Sequence, residues 1–310
     1  GATFDCLSSI DGRRLAAVAA CAASDVDSAV ASARAAFSRG DWAEQSPTDR
    51  KKVLLRFADL IERHVDELAL LEMLMAAWKI GPVLAAGNSL VLKPSEKSPL
   101  TAIRLAALAL EAGLPAGVFN VVPGFGPTAG KALALHHDVD AITFTGSTAT
   151  GRLIMQYAGQ SNLKRVSLEC GGKSPNIVMD DYPDIARAAR AAAAGIFFNQ
   201  GQMCSAGSRL LVHSSIREPM LEQIARFAQR MVPGDPLDPD TRLGALVDEE
   251  QTQKVLGYIE SGRTEGARLA LGGRRVREQT GGGYVEPTVF DGVRPTMRIA
   301  REEIFGPVLS

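Results

Sequence analysis

Apolar residues recur at three- and four-residue steps in two stretches near the start of the chain. Val26, Ala29, Val30, Ala33 and Phe37 share one helical face, with Asp25 predicted as the N-cap. A second helix is predicted from Ser46-Pro47, since proline suits a first turn, and it carries Val53, Leu54, Phe57, Leu60, Ile61 and Leu68 on one face. Such faces are normally core, so neither helix points to chemistry.

From Ser89 the pattern alternates between short apolar runs and helical spacing. Strands are predicted at 89–92, 118–122, 141–144, 165–169, 176–179 and 209–212. Helices are predicted from Ser98-Pro99 to Gly113, from about Pro127 to Leu135, from Ser147 through Ala158, over about 184–198, and from Ser215 to about Met231. Strands joined by helices through tight turns imply a parallel sheet covered on both faces, with ligands at the carboxyl ends of its strands. Val232–Pro236 reads as a turn cluster rather than a linker. The expected boundary lies near Gly171-Gly172, giving a first domain over 1–170 and a second over 171–310.

Composition narrows the class. The 310 residues carry 34 Lys+Arg against 35 Asp+Glu, a net charge of −1, and no basic block, which argues against nucleic acid as a partner. No apolar run reaches the ~18 residues of a membrane span. Gly1–Asp5 lacks the pattern of a secretory signal, and four cysteines without a Cys-x-x-Cys pair fit a reducing compartment, so a cytoplasmic location is expected. No spacing suggests a metal site.

Candidate chemistry collects at strand ends. Lys93-Pro94-Ser95-Glu96 follows a strand; a carboxylate there can accept from ribose hydroxyls and would repel a 2′-phosphate, favouring NAD over NADP, while a solvated Lys–Glu pair on a turn is the plainer alternative. Gly124–Gly130 is one residue off the dinucleotide fingerprint, with Gly126, Pro127 and Gly130 opening a helix, although it also reads as a glycine turn without a ligand. Gly146 and Ser147 bring free backbone N–H groups to a helix start suited to pyrophosphate, or Ser147 is only an N-cap. Glu169 at a strand end suits a general base, and Cys204, in a loop between helix and strand, suits a nucleophile; both also have a structural reading.

Taken together these motifs resemble the NAD(P)-dependent aldehyde dehydrogenase superfamily, along the chain from Gly1 to Ser310. Glu169 with Gly171-Gly172-Lys173-Ser174-Pro175 is similar to the catalytic-glutamate motif, Gly201-Gln202-Met203-Cys204 to the nucleophile motif, and Glu302-Glu303-Ile304-Phe305-Gly306-Pro307 to the cofactor-positioning motif. The resemblance implies an α/β fold, a Rossmann-type parallel-sheet domain plus a second α/β catalytic domain. It implies Cys204 as nucleophile and Glu169 as the base that activates water on a thioester. It also implies Lys93, Ser95, Glu96, Gly126, Pro127, Gly130, Gly146 and Ser147 as cofactor contacts, with Glu303 on the nicotinamide ribose and Phe305 beside it. Lys173 and Cys170 read as structural. The stretch 199–210 is similar to ω-amino-aldehyde enzymes, such as those oxidising γ-glutamylaminobutyraldehyde or 4-guanidinobutyraldehyde. A homodimer or homotetramer is implied.

The chain also departs from the pattern. The family carries a long segment, with a Pro-Trp-Asn loop whose asparagine stabilises an oxyanion, where this chain brings two helices together at about Met73-Leu74; family members also continue past Ser310. The expectation is a sequence from which residues of the natural protein are missing. A non-catalytic NAD-binding remnant, a CoA-acylating semialdehyde dehydrogenase and a cysteine hydrolase are the competing readings. Glu169 favours hydrolysis over CoA transfer, and no histidine stands in a motif that would serve a hydrolase.

Overall fold

In the computed structural model, which describes residues 1–69 and 74–310, the chain forms two units. The first comprises Gly1–Leu7 and Arg14–Cys170; the second comprises Ser8–Arg13 and Gly171–Ser310.

The first unit opens with β1 (Thr3–Leu7) and β2 (Arg14–Ala19), an antiparallel hairpin that the pattern does not predict. In α1 (Ala23–Ser38) the cap differs from expectation. Ala22 is the N-cap, and the Asp25 carboxylate, three residues on, reaches back to accept the Ala22 N–H at 2.8 Å. α2 (Pro47–Arg63) starts as predicted, with the Ser46 hydroxyl accepting the Asp49 N–H. It stops before His64, so Leu68 belongs to a separate short helix, α3 (Val65–Ala69), rather than to the face of α2. α4 is Leu74–Ala85; the predicted junction at Met73 lies outside the described residues.

Strand and helix then alternate: β3 (Leu90–Leu92), α5 (Leu100–Glu111), β4 (Phe119–Val121), α6 (Lys131–Leu135), β5 (Ala141–Gly146), α7 (Thr148–Gln160) and β6 (Arg165–Cys170). The helix predicted from Pro127 is a correction, because Gly126–Gly130 form a wider π-type turn that leads into α6. Trp42, Phe57, Leu84, Leu105 and Leu108 build the core of this part, and the Trp42 indole N–H is satisfied by the Leu84 carbonyl at 2.8 Å. β3 pairs with β4 and β5 with β6, each pair parallel. The expected α/β class with parallel strands is present; among the described residues these strands form separate two-stranded ladders, and no residue of β3, β5 or β6 is fully buried.

In the second unit β7 (Pro175–Val178) and β8 (Arg209–Val212) pair in parallel around α8 (Ile185–Phe197), whose N-cap Asp184 accepts the Arg187 N–H at 2.9 Å. Ala189, Ala192 and Ala193 share one face of α8 with Ile196 and Phe197. Side chains ending at Cβ let α9 (Arg217–Ala228) come close, so Met220 and Ile224 are buried against them. α9 is shorter than predicted: Ser214–Ile216 form a 3₁₀ turn before it, and the last turn ends at Ala228. The pattern does not predict the remaining elements, α10 (Glu249–Thr264), β9 (Arg268–Leu271), β10 (Arg275–Val276), β11 (Tyr284–Val285), β12 (Thr288–Asp291), α11 (Arg298–Arg301) and β13 (Val308–Leu309).

β12 lies between β13, parallel, and β9, antiparallel. The buried Asp291 at its end accepts Arg217 Nε at 2.8 Å and Nη2 at 2.6 Å, and Arg268 Nε at 2.9 Å. These partners, the Arg217 hydrogen bond foremost, hold its carboxyl below the usual range. The turn Ser8–Arg13 is tied into this unit, with the Tyr284 hydroxyl donating to the Ile10 carbonyl at 3.2 Å. Among the described residues no helix is long and apolar enough to cross a membrane.

Candidate functional site

In the first unit the two motifs after β3 and β4 are brought together by one side chain. Lys93, half-buried, donates from Nζ to the Pro94 carbonyl at 2.6 Å and the Gly124 carbonyl at 2.8 Å, and lies 3.7 Å from Glu96 Oε2. Its stem rests against Gly130, where a Cβ would stand 3.4 Å from Lys93 Cδ. Parallel pairing of β3 with β4 sets this up, since both strands deliver their next residues to the same end. Burial lowers the Lys93 pKa and Glu96 opposes that. Ser95, Gly126 and Pro127 are exposed beside this cluster, and a side chain on Gly126 would meet nothing within 4 Å. The Lys–Glu pair is therefore part of a lysine-bridged structure rather than a free solvated turn.

The β5–β6 ladder brings together a second group. Its register sets Thr145 opposite Glu169 and Gly146 opposite Cys170. Ser147 is the N-cap of α7, accepting the Thr150 N–H at 3.2 Å, and residues 146–150 are exposed, so the helix start is open to solvent. Cys170 Sγ sits 3.2 Å from where a Gly151 Cβ would be, so it packs under α7 while Glu169 is exposed. The sequence reading passed over Lys79 on α4. Lys79 Nζ donates to Thr143 Oγ1 at 3.0 Å, and the Glu169 charge partly offsets the lowering of its pKa by burial. In the sequence its trace is a charged residue within an otherwise apolar helix.

In the second unit the chain leaves α8 through three successive left-handed residues, Asn199, Gln200 and Gly201, at φ values of 47°, 55° and 70°. Such a run reverses the chain without a long loop and costs conformational strain at the two non-glycine positions. The turn is held by Gln202 N–H to Asn199 O at 2.9 Å and by Val247 N–H to Gln202 Oε1 at 3.1 Å. Cys204 follows, half-buried, in a short loop ending at β8. Phe198, Met203 and Ser205 line a shallow pocket next to it with Ala194, Gly195 and Ala206.

Two sequence motifs meet here. Gly201 packs directly on the backbone of Gly306, and any Cβ on Gly201 would collide with the Gly306 carbonyl. Phe305 holds a left-handed φ of 58°, and Gln251 Nε2 pins the Ile304 and Phe305 carbonyls at 3.1 and 2.8 Å. Glu303, two residues before Phe305, lies over the bare Cα of Gly171, where a Cβ would clash with its carboxylate. Burial raises the Glu303 pKa, opposed by Lys254, the Gly172 N–H and Lys173. Burial, and then Arg209, lowers Lys173 to about 8, against the pull of Glu303.

The residues present fit a dinucleotide. The Lys93–Glu96 cluster offers a cation and a carboxylate beside an exposed glycine turn. In the second unit Glu303 Oε1 is buried without a hydrogen-bond partner, as an acceptor awaiting a hydroxyl would be. Among the described residues no group of side chains could hold a metal ion.

Comparison with known proteins shows the family. The model of the aldehyde dehydrogenase family matches residues 1–75 and 72–310. The aminoacetaldehyde dehydrogenase of Pseudomonas aeruginosa is 44% identical over 375 aligned positions, covering 100% of this chain and 75% of that protein. The NADP/NAD-dependent aldehyde dehydrogenase PuuC of Escherichia coli is also 44% identical, covering 99% and 74%. The crystal structure of γ-glutamyl-γ-aminobutyraldehyde dehydrogenase from Burkholderia cenocepacia superposes with a TM-score of 0.96 at 54% identity, covering 99% of this chain and 75% of that one. The 375 aligned positions exceed the 310 residues of the chain, and the two family matches meet at 72–75, where a segment of the relatives has no counterpart. On the family match and these identities, the chain belongs to the aldehyde dehydrogenase family.

Proposed function

We propose that the chain oxidises an ω-amino or guanidino aldehyde to the carboxylic acid with NAD, or NADP, as the oxidant. The observation that carries this reading is the junction of Gly201 with Gly306, which seats the Cys204 loop on the motif containing Glu303 and Phe305. The substrate class rests on the amino-aldehyde relatives, since aminoacetaldehyde and γ-glutamylaminobutyraldehyde name two of them.

The first domain would hold the adenosine end through Lys93, Ser95 and Glu96, and the phosphates through Gly126, Pro127, Gly130, Gly146 and Ser147 at the α7 start. Glu303 would accept the hydroxyls of the second ribose, with Phe305 beside it. When bound, the nicotinamide supplies the two-electron acceptor.

The Cys204 thiolate forms the bond to the aldehyde carbon, and the carbonyl oxygen becomes an oxyanion held by the Cys204 N–H. Loss of two electrons and the aldehyde hydrogen leaves a Cys204 thioester. Glu169 takes a proton from water; the water oxygen bonds to the acyl carbon, the carbon–sulfur bond breaks, and the acid leaves with the thiolate restored. Without the asparagine donor found in the family, turnover should fall by on the order of 10²–10³. The internal segment of the relatives that has no counterpart here is the specific observation favouring the second reading, an NAD-binding remnant.

The test is NADH or NADPH formation with a panel of ω-amino and simple aliphatic aldehydes, with and without CoA. Turnover faster on the amino aldehydes and independent of CoA is the expected result. No turnover on any aldehyde, with NAD still bound, gives the remnant reading; dependence on CoA gives acyl transfer.

A further inference from the structure

Lys173 and Glu303, both in the second unit, present a pair of buried charged atoms that stability does not explain. Lys173 Nζ and Glu303 Oε1 are each buried with no hydrogen-bond partner. An unpaired buried ammonium or carboxylate oxygen is costly, so packing alone gives no reason for either. The charged groups around them are few. Arg209, whose Nε is also buried and unpartnered, adds a second positive charge beside Lys173, and Lys254 adds one beside Glu303. Arg209 has nothing to accept a hydrogen bond, so of these groups only the Glu303 carboxylate can receive the Lys173 ammonium. Lys173 also belongs to the turn whose Gly171 leaves room for that carboxylate and whose Gly172 N–H faces it.

We propose that Lys173 is a positioning residue: its buried charge, which makes no hydrogen bond to Glu303 in this structure, keeps that carboxylate over Gly171, in the orientation in which it accepts the hydroxyls of a cofactor ribose. This rests on the NAD(P) reading above. One strand-end turn thereby supplies three parts of the same clamp. Gly171 gives the space, Gly172 a neutral donor and Lys173 the charge. Glu303 arrives from a segment 130 residues later in the chain.

Titration calorimetry with NAD and with AMP on the full chain tests it, using Lys173→Met, Lys173→Gln, Lys173→Arg and Glu303→Gln. Lys173→Met should raise the Kd for NAD about tenfold, the size expected for loss of an opposite charge at partly screened distance, and Lys173→Arg should recover much of that. AMP, which has no second ribose, should bind the Met variant as it binds the parent. In the Glu303→Gln background, Lys173→Met should add little, because the two side chains act as one unit. Should the Met variant not fold, Lys173→Gln, which keeps part of the stem, reads the same quantities. An unchanged Kd for NAD, equal losses for NAD and AMP, or full additivity with Glu303→Gln would overturn the positioning role. A parent chain that binds AMP and NAD equally weakly would instead overturn the cofactor reading itself.

Discussion

The alpha carbon of Gly201 lies against the carbonyl of Gly306, so the loop carrying Cys204 and the segment carrying Glu303 are held in register by the absence of one side chain. Gly201→Ala would introduce a methyl into backbone and force it onto a residue at φ 70°. The cost is about 1–3 kcal/mol from the strained conformation alone, before the collision is relieved. Thermal unfolding should show the loss, and aldehyde oxidation should fall further than stability does, because relief of the clash shifts the Cys204 loop.

Removing the nucleophile and removing the base should have different signatures. Cys204→Ala is expected to abolish NADH formation while leaving NAD affinity at the parent value. Glu169→Gln is expected to keep a pre-steady-state burst of NADH, up to one per chain, followed by a slow steady rate. Stopped-flow absorbance at the NADH band separates the two. A Glu169→Gln variant without a burst would place the glutamate before acyl-enzyme formation instead of after it.

Cofactor choice should turn on Glu96. Its carboxylate, anchored near Lys93, would repel a 2′-phosphate. Glu96→Gln removes that repulsion, and the ratio of kcat/KM for NADP to that for NAD should rise about tenfold, the effect of a pair of like charges at partly exposed distance. An unchanged ratio would remove Glu96 from the ribose site.

Acid stability should depend on Asp291. Its folded pKa is depressed by Arg217 and Arg268, so its stabilisation is present above the unfolded value of about 3.9 and is lost as the pH falls through the folded value below it. Asp291→Asn should destabilise the protein at neutral pH by about 1–3 kcal/mol, since the buried position loses its charge-assisted hydrogen bonds while the half-exposed arginines stay solvated. Urea unfolding at pH 7 and pH 3 checks the sign: the gap between parent and variant should narrow at the lower pH.

What could be read from the residues is what local chemistry decides. Ser46, Ser147 and Asp184 cap helices through hydrogen bonds three residues long, and each marks its helix correctly. Asp25 misleads because the same carboxylate can cap from the third position by reaching backwards. The π-type turn at Gly126–Gly130 has the composition of an ordinary helix start, and only the angle set by its neighbours distinguishes the two. Strand partnership is non-local, so alternation predicted the parallel pairs but not their separation into independent ladders. The strands of the last seventy residues escaped because they are two to four residues long and one of them ends in the buried charge of Asp291. The same division holds in the site. Lys93 and Glu96 stand in one tetrapeptide, whereas Gly171 beneath Glu303 and Lys79 near Glu169 meet through long-range folding alone.

The Ser8–Arg13 turn has a consequence for the order of events during synthesis. The polypeptide begins in one unit, lends six residues to the other, returns, and crosses finally at Cys170-Gly171. The hydroxyl that fastens the turn belongs to Tyr284, 274 positions after Ile10. It stays unfastened until Tyr284 has been made, since positions so distant in sequence close slowly and late. A fragment starting at Gly171 would lack this strap, and its Tyr284 hydroxyl would lose the Ile10 carbonyl as partner.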